Sequence, residues 1–471
     1  MISFVVALCV LIGGYWVYGN VVERVFRPDV NRPTAAVTKA DGVDYIPMPT
    51  WKLFFIQLLN IAGLGPVFGA IMGAKFGTSC YLWIVLGCIF GGGVHDYLAG
   101  MISLRQDGTN LSTIIGENLG KRMLHVVTWC LIILMLLVVV VFVSGPAGLL
   151  DNMTEHTFGI IPWIVLILLY YLIATLLPMD KIIGKLYPFF AVSMLVMAIG
   201  ILGALVWYHP VLPEITDMHN THSNGFAVFP MMFVSIACGA ISGFHATQSP
   251  MVARCMKSER TGRLVFYGAM VTEGIIALIW AAAAQYYYGQ HGMGVSNAAI
   301  VVSDLSQEWL GVFGGILIMI GVVVAPITTG DTALRSARLI LAEYLHLPQK
   351  TLPSRLAISV PLILVSVAVL IYSMRDAAGF DVIWRYFSWS NQLLATITLW
   401  SISVYLTRHT RHYYITLLPA LFMTMVCTSY ICVAPEGFAM PGVLPYLLSA
   451  GVTLLLLVWF IWKTLSSRRP L

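Results

Sequence analysis

Charge is what this chain has least of. Asp, Glu, Lys and Arg make up 10% of its 471 residues, against about 25% in soluble domains, and no polar stretch is long enough to enclose a water-facing core. An ordinary soluble domain is excluded. Catalytic signatures are missing too. There is no His-Glu-x-x-His, no Gly-x-Ser-x-Gly and no glycine-rich loop ending in Lys-Ser or Lys-Thr; Gly184-Lys185-Leu186 fails at its third residue. Neither an enzyme nor a nucleotide-driven pump is expected, so transport would draw on an existing gradient.

Partners and cofactors are bounded in the same way. The net charge of +5 is spread among short loops, without a basic stripe interleaved with aromatics, so nucleic acid is not an expected partner. Of eight cysteines, Cys9, Cys80, Cys88, Cys130, Cys238, Cys427 and Cys432 fall in or beside apolar runs without metal-ligand spacing and read as packing residues. Cys255 reads as a free thiol in a basic loop. No cofactor or resident metal is expected; oligomeric state is left unassigned.

What is present is apolar sequence, 59% of the chain. About 20 apolar residues cross a bilayer, and thirteen such runs can be drawn: 2–19, 53–74, 79–102, 123–146, 160–178, 183–207, 226–248, 263–288, 309–329, 356–373, 383–406, 413–433 and 443–463. The first lacks a positively charged leader and a small-residue cleavage site, and reads as a retained span. Cytoplasmic loops retain Lys and Arg. With thirteen spans the 26 basic residues divide 23 to 3, only Lys75, Arg375 and Arg385 falling on the poorer side. The expectation is an all-α polytopic protein in a lipid membrane, N-terminus outside and C-terminus in the cytoplasm. It is a single domain over residues 1–471: an N-terminal helix and loop (1–50), two repeats (51–208 and 225–408) and C-terminal helices (412–471).

Two of these runs are interrupted at bilayer depth, the second by Gly63-Leu64-Gly65-Pro66 and the seventh by residues 239–250, from Gly239 through Ser242, Gly243 and His245 to Ser249-Pro250. An interrupted helix exposes N–H and C=O groups that hydrocarbon cannot satisfy, so it persists where protein or a watery cavity does so. Five spans apart, the two breaks enter from opposite sides. Spans two to six and seven to eleven then form an inverted 5+5 repeat of the LeuT-like kind. Gly65-Pro66 and Ser249-Pro250 each read as an N-cap followed by proline at the first helical position, aiming a positive helix end at a carboxylate. Glycines that merely allow close packing would look the same in either segment alone.

Residues 60–70 (from Asn60), 91–105 with Asp107-Gly108, and 239–245 resemble the carbon starvation protein A family. So do Asn31-Arg32-Pro33 with residues 41–49, the stretch Tyr267 to Gly274, and Thr328-Thr329 before residues 335–341. The resemblance implies an inner-membrane transporter of the LeuT-like superfamily that takes up pyruvate or small peptides under nutrient limitation, coupled to protons. This chain is shorter than many members, and carries His245 to Pro250 where many have a stretch rich in serine and threonine.

Ionisable side chains at bilayer depth cost about 2.5–3.5 kcal/mol each and need a reason. Glu273, ten residues into the eighth span, is a candidate proton carrier or a hydrogen-bonded tie between helices. His95 and Asp96 in the third span are either a relay or a packing anchor, and His245 stands within the second break. Thr328 and Thr329, at the end of the ninth span, would offer hydroxyls to a sodium ion or bond back to their own helix. Asp331 is a coupling candidate or the partner of Arg335 one turn on. Asn60, Gly63, Gly65, Pro66, Gly239, Ser242, Gly243, His245, Gln248 and Ser249 are candidate substrate contacts, and Trp389, Asn391 and Gln392 a candidate gate. A secondary carrier for a small carboxylate is expected; a channel and a membrane nutrient sensor are the alternatives.

Overall fold

The computed structural model describes residues 1–41, 45–176, 180–294, 297–347, 351–375, 379–410 and 412–467. Residues 42–44 of the motif noted above, and Lys350, Arg411, Arg468 and Arg469 of the charge division, lie outside the described residues, as do the side chains of Lys181 and Lys185. Among the described residues there is helix and no strand. Among the described residues, nine helices are long and apolar enough to cross a membrane, ten if the bent pair Thr50–Ile61 and Gly65–Ala74, at 53°, forms one crossing.

Over its described residues each expected span overlaps helical structure, but three do not qualify as crossings on length and apolarity. Ile160–Ala174 is short. The seventh is split between Phe233–Ser235 and Gly243–Ala253. Gly379–His409 buries Ser388, Asn391, Gln392, Thr396, Thr398, Ser401 and Ser403, which dilutes its apolar character. The ninth is displaced. Gly311, at φ 56° and ψ −142°, breaks Ala298–Ile318, and helix then runs through Ala325–Tyr344. Thr328 and Thr329 therefore lie inside a helix rather than at its end, a correction to the sequence reading.

Burial sorts the helices into layers. In Ser79–Arg105 and in Glu259–His291, 83% of the most apolar window is buried, against 17% in Ile2–Phe26 and in Leu444–Thr464. The first pair is the centre and the second faces lipid. Apolarity cannot make that choice, because lipid tails are as apolar as a protein interior; close packing of small residues does. Both central helices flank the broken spans. Ser79–Arg105 packs on Gly243–Ala253, and Glu259–His291 on Thr50–Ile61 and on the restart at Gly65.

Candidate functional site

The first break falls where the sequence places it, with Leu64 rather than Gly65 preceding the restarted turn. Helix Thr50–Ile61 ends as Ala62 leaves helical geometry (φ −90°, ψ 47°), and the chain resumes at Gly65 with Pro66 in the first turn, wound as a π-type turn through Gly69. Such turns recur at functional sites. Gly65 is required by a close approach: a Cβ there would lie 2.2 Å from the Cβ of Cys238. The two breaks cross at this point.

The second break restarts earlier than its sequence implies. Ser242 is extended (φ −144°, ψ 124°) and helix runs from Gly243 to Ala253 with Pro250 inside it. Ser249 is not the cap; its hydroxyl donates to the carbonyl of His245 at 3.0 Å. The cap comes from another helix. Asn391 Oδ1 accepts the N–H of Phe244 at 2.7 Å, and its Nδ2 donates to Ser242 Oγ at 2.9 Å and to Cys238 Sγ at 3.4 Å. Gly243 makes this possible, since a Cβ would meet the Asn391 carbonyl at 2.6 Å and the Ala395 nitrogen at 2.5 Å. The local serine-proline signal is overridden by a tertiary hydrogen bond. The half-helix thus begins at Gly243, seven residues before Pro250, the first helical position the sequence reading assigned.

Ionisable residues gather beside the crossing. His95 Nδ1 lies 2.7 Å from Asp96 Oδ1, and His245 Nδ1 lies 2.8 Å from Asp96 Oδ2. His245 Nε2 is 3.4 Å from Glu273 Oε2, without the alignment of a hydrogen bond. All four side chains are fully buried. Among the described residues, His95 Nε2, His245 Nε2 and both Glu273 oxygens have no hydrogen-bond partner. Buried polar atoms are normally paired, so each such atom needs an explanation.

The other candidates are placed unevenly. Asn60 and Gln248 are buried, with Asn60 Oδ1 and Gln248 Oε1 unpartnered among the described residues; Gln248 Nε2 donates to Thr247 Oγ1 at 3.0 Å. Gly63 and Gly239 sit within the two breaks, and Gly239 faces Pro66. Thr329 reaches the first break, its hydroxyl 3.5 Å from the carbonyl of Leu59, while the Thr328 carbonyl accepts from Thr332 Oγ1 at 3.1 Å. Asp331 is 3.8 Å from Arg335, whose Nη2 donates to the Ala174 carbonyl at 2.7 Å. Trp389 donates its indole N–H to the Cys427 carbonyl at 3.0 Å and is not at the crossing, whereas Gln392 donates to the Phe233 carbonyl of the second broken span.

Sequence reasoning missed two residues here. Gln57, one turn before Asn60, is fully buried with both amide atoms unpartnered among the described residues; a polar side chain on the buried stripe of a broken span was the available signal. Cys238 joins His245 and Glu273 in a group whose ligand atoms all lie within 4.8 Å of one another. No spacing rule finds it, because its members come from separate elements. A void of about 650 Å³ lies away from these residues, between Tyr18, Trp83, Phe90 and Phe422 on the flank.

Known proteins resemble this chain in sequence and in fold. Residues 1–161, 150–308 and 290–430 match the profile of a family described as carbon starvation protein CstA. An uncharacterized membrane protein of Haemophilus influenzae is 39% identical over 61% of this chain and 91% of its own. Proteins named peptide transporter CstA from Helicobacter pylori and Campylobacter jejuni are each 28% identical over 58% of this chain, and over 49% and 48% of theirs. The chain spans about half the length of those named relatives. Among solved structures, the Eremococcus coleocola manganese transporter superposes with a TM-score of 0.57 at 13% identity, covering 90% of this chain and 98% of its own. MhsT in complex with L-phenylalanine does so at 0.57 and 15%, covering 84% and 98%. At such identities the likeness concerns the fold, which is LeuT-like. With a family profile running along residues 1–430 and a transporter fold built on two crossing breaks, this chain belongs to the carbon starvation protein CstA family of membrane transporters.

Proposed function

We propose that the protein is a secondary active importer of a small carboxylate-bearing nutrient, pyruvate or a short peptide, working by alternating access and coupled to protons. The observation that carries the reading is the buried line His95, Asp96, His245 and Glu273 beside the crossing of the breaks. Asp96 belongs to the first half and His245 and Glu273 to the second, so rocking one half against the other would break and remake these contacts. Substrate and proton would be released together.

The named relatives support a peptide, and the half-helix N-termini at Gly65 and Gly243 supply the partial positive charge that a carboxylate favours. Gln57, Asn60 and Gln248 carry spare polar atoms for its other end. Sodium is the second reading, favoured by the Thr329 hydroxyl at the first break. We take the bacterial inner membrane, with the N-terminus outside, as the location that fits the charge division.

The test is uptake into proteoliposomes from a panel of pyruvate, other small acids and di- and tripeptides, under separately imposed proton and sodium gradients. Saturable uptake driven by a proton gradient is the expected result. Uptake that neither gradient stimulates defeats symport, and large single-channel currents would make the protein a pore.

A further inference from the structure

Four features of the crossing converge on one ligand. Cys238, His245 and Glu273 offer a thiol, an imidazole nitrogen and a carboxylate within 4.8 Å of one another, all buried. His245 Nε2 and both Glu273 oxygens lack a hydrogen-bond partner among the described residues. Around a tetrahedral zinc ion, with bonds of about 2.0–2.3 Å, neighbouring donor atoms lie about 3.3–3.6 Å apart; His245 Nε2 and Glu273 Oε2 are 3.4 Å apart. The fourth feature is the other face of the histidine. Asp96 Oδ2 lies 2.8 Å from His245 Nδ1, and a carboxylate only accepts hydrogen bonds. In the neutral ring this contact places the proton on Nδ1 and leaves Nε2 to bind a metal. A carboxylate, a histidine and a vacant ring nitrogen in line are how metal-binding imidazoles are held.

We infer that Cys238, His245 and Glu273 form a transition-metal site of the Zn²⁺ class, with Asp96 positioning the histidine and one coordination position left open. A thiolate and an imidazole select zinc over magnesium, calcium or sodium, which prefer all-oxygen sites. Three protein ligands and an open position describe zinc sites that exchange a ligand rather than closed structural ones. Cys238 is also the residue against which Gly65 packs. A bound ion therefore ties the unwound part of the second break to the half-helix and to Glu259–His291 at the point where the first break crosses. Metal and proton compete for the same atoms, because ligands must be deprotonated to bind. Zinc binding here depends on the geometry of these side chains and not on which nutrient is carried.

The experiment uses the purified full chain, stripped with chelator and re-equilibrated with Zn²⁺, or with Co²⁺ as an optical probe. One zinc per chain should survive desalting, and the cobalt form should show a thiolate charge-transfer band with tetrahedral ligand-field bands. Cys238→Ser should abolish the charge-transfer band and retained zinc, Glu273→Gln should lower affinity, and Asp96→Asn should weaken binding by about 10- to 100-fold. Cys427→Ser, a buried thiol outside the group, should change nothing. Zinc retained equally by Cys238→Ser is adventitious and overturns the site. If Cys238→Ser fails to fold, the cobalt spectrum of the unaltered chain decides, and a spectrum without thiolate character overturns it. Uptake without zinc binding would defeat this inference alone, and zinc binding without uptake would defeat the transport reading alone.

Discussion

Asp96 Oδ2 stands 2.8 Å from His245 Nδ1, and this contact joins the central helix of the first half to the restarted half-helix of the second. Because both side chains are fully buried, it is made without competition from water. Asp96→Asn removes a charge-assisted hydrogen bond of about 1.5–3 kcal/mol. If that bond acts in the coupled step, proton-driven uptake should fall about ten- to a hundredfold, while counterflow of substrate, which needs no net proton movement, should persist. Initial rates in the two assays check this, and equal losses in both would assign Asp96 a structural part only.

The crossing of the breaks tolerates no side chain at residue 65. Gly65→Ala puts a methyl group 2.2 Å from Cys238 Cβ, an overpacking worth about 1–3 kcal/mol, and should abolish uptake. Adding Cys238→Gly removes the atom it meets and should restore part of the uptake. Failure of the double variant to exceed Gly65→Ala would show that the two breaks do not constrain each other through this contact.

Arg105 and Glu259 tie the halves together again, at the end that the charge division assigns to the cytoplasm. Arg105 Nε and Nη2 donate to the Glu259 carboxylate at 3.2 and 3.1 Å. Glu259, 1% exposed, also accepts the N–H of Asp29 at 2.7 Å, and the guanidinium lies 3.8 Å from the centre of the Phe26 ring. Glu259→Gln should destabilise the protein by about 2 kcal/mol, read as a lower melting temperature in detergent. Arg105→Lys should cost a similar amount, since an ammonium cannot make the two parallel bonds.

On the opposite side, His222 is wedged between Phe76 and Phe226, ring centres 4.6 and 5.0 Å away. Burial, and then the positive charges of Lys75 and Arg385, push its pKa down to about 4. A histidine kept neutral in the fold takes up its proton more readily when unfolded, near pH 6.5. Its contribution is therefore complete above about pH 6.5 and shrinks as the pH falls toward about 4. His222→Gln should flatten the acid side of the melting-temperature profile between those values, and an unchanged slope would remove His222 as its cause.

Much of the fold could be read from the chain because a bilayer imposes simple rules. Apolar length sets where helices form, and over its described residues each expected span overlaps helical structure. The first break could be read as well, since Gly65-Pro66 interrupts and restarts a helix by local backbone chemistry. Thr328 and Thr329 were misplaced because polar residues after 329 imitate the end of a span. Ser249-Pro250 was misread because a proline following a serine looks the same inside a half-helix as at its start. The true cap, Asn391, lies 147 residues from the N–H it accepts.

What the sequence determined by itself is therefore what depends on neighbours along the chain: a helical membrane protein, two interruptions, and ionisable residues where lipid forbids them without cause. Tertiary structure decided what those residues meet. Asp96 and His245 are 149 positions apart, and no local rule states that an imidazole will find that carboxylate, or that Cys238 will join His245 and Glu273. Lipid does not drive one apolar helix against another, so the pairing rests on close contact at small residues such as Gly65 and Gly243 and on buried hydrogen bonds. Those are properties of surfaces in contact, and they exist only once the two halves have been brought together.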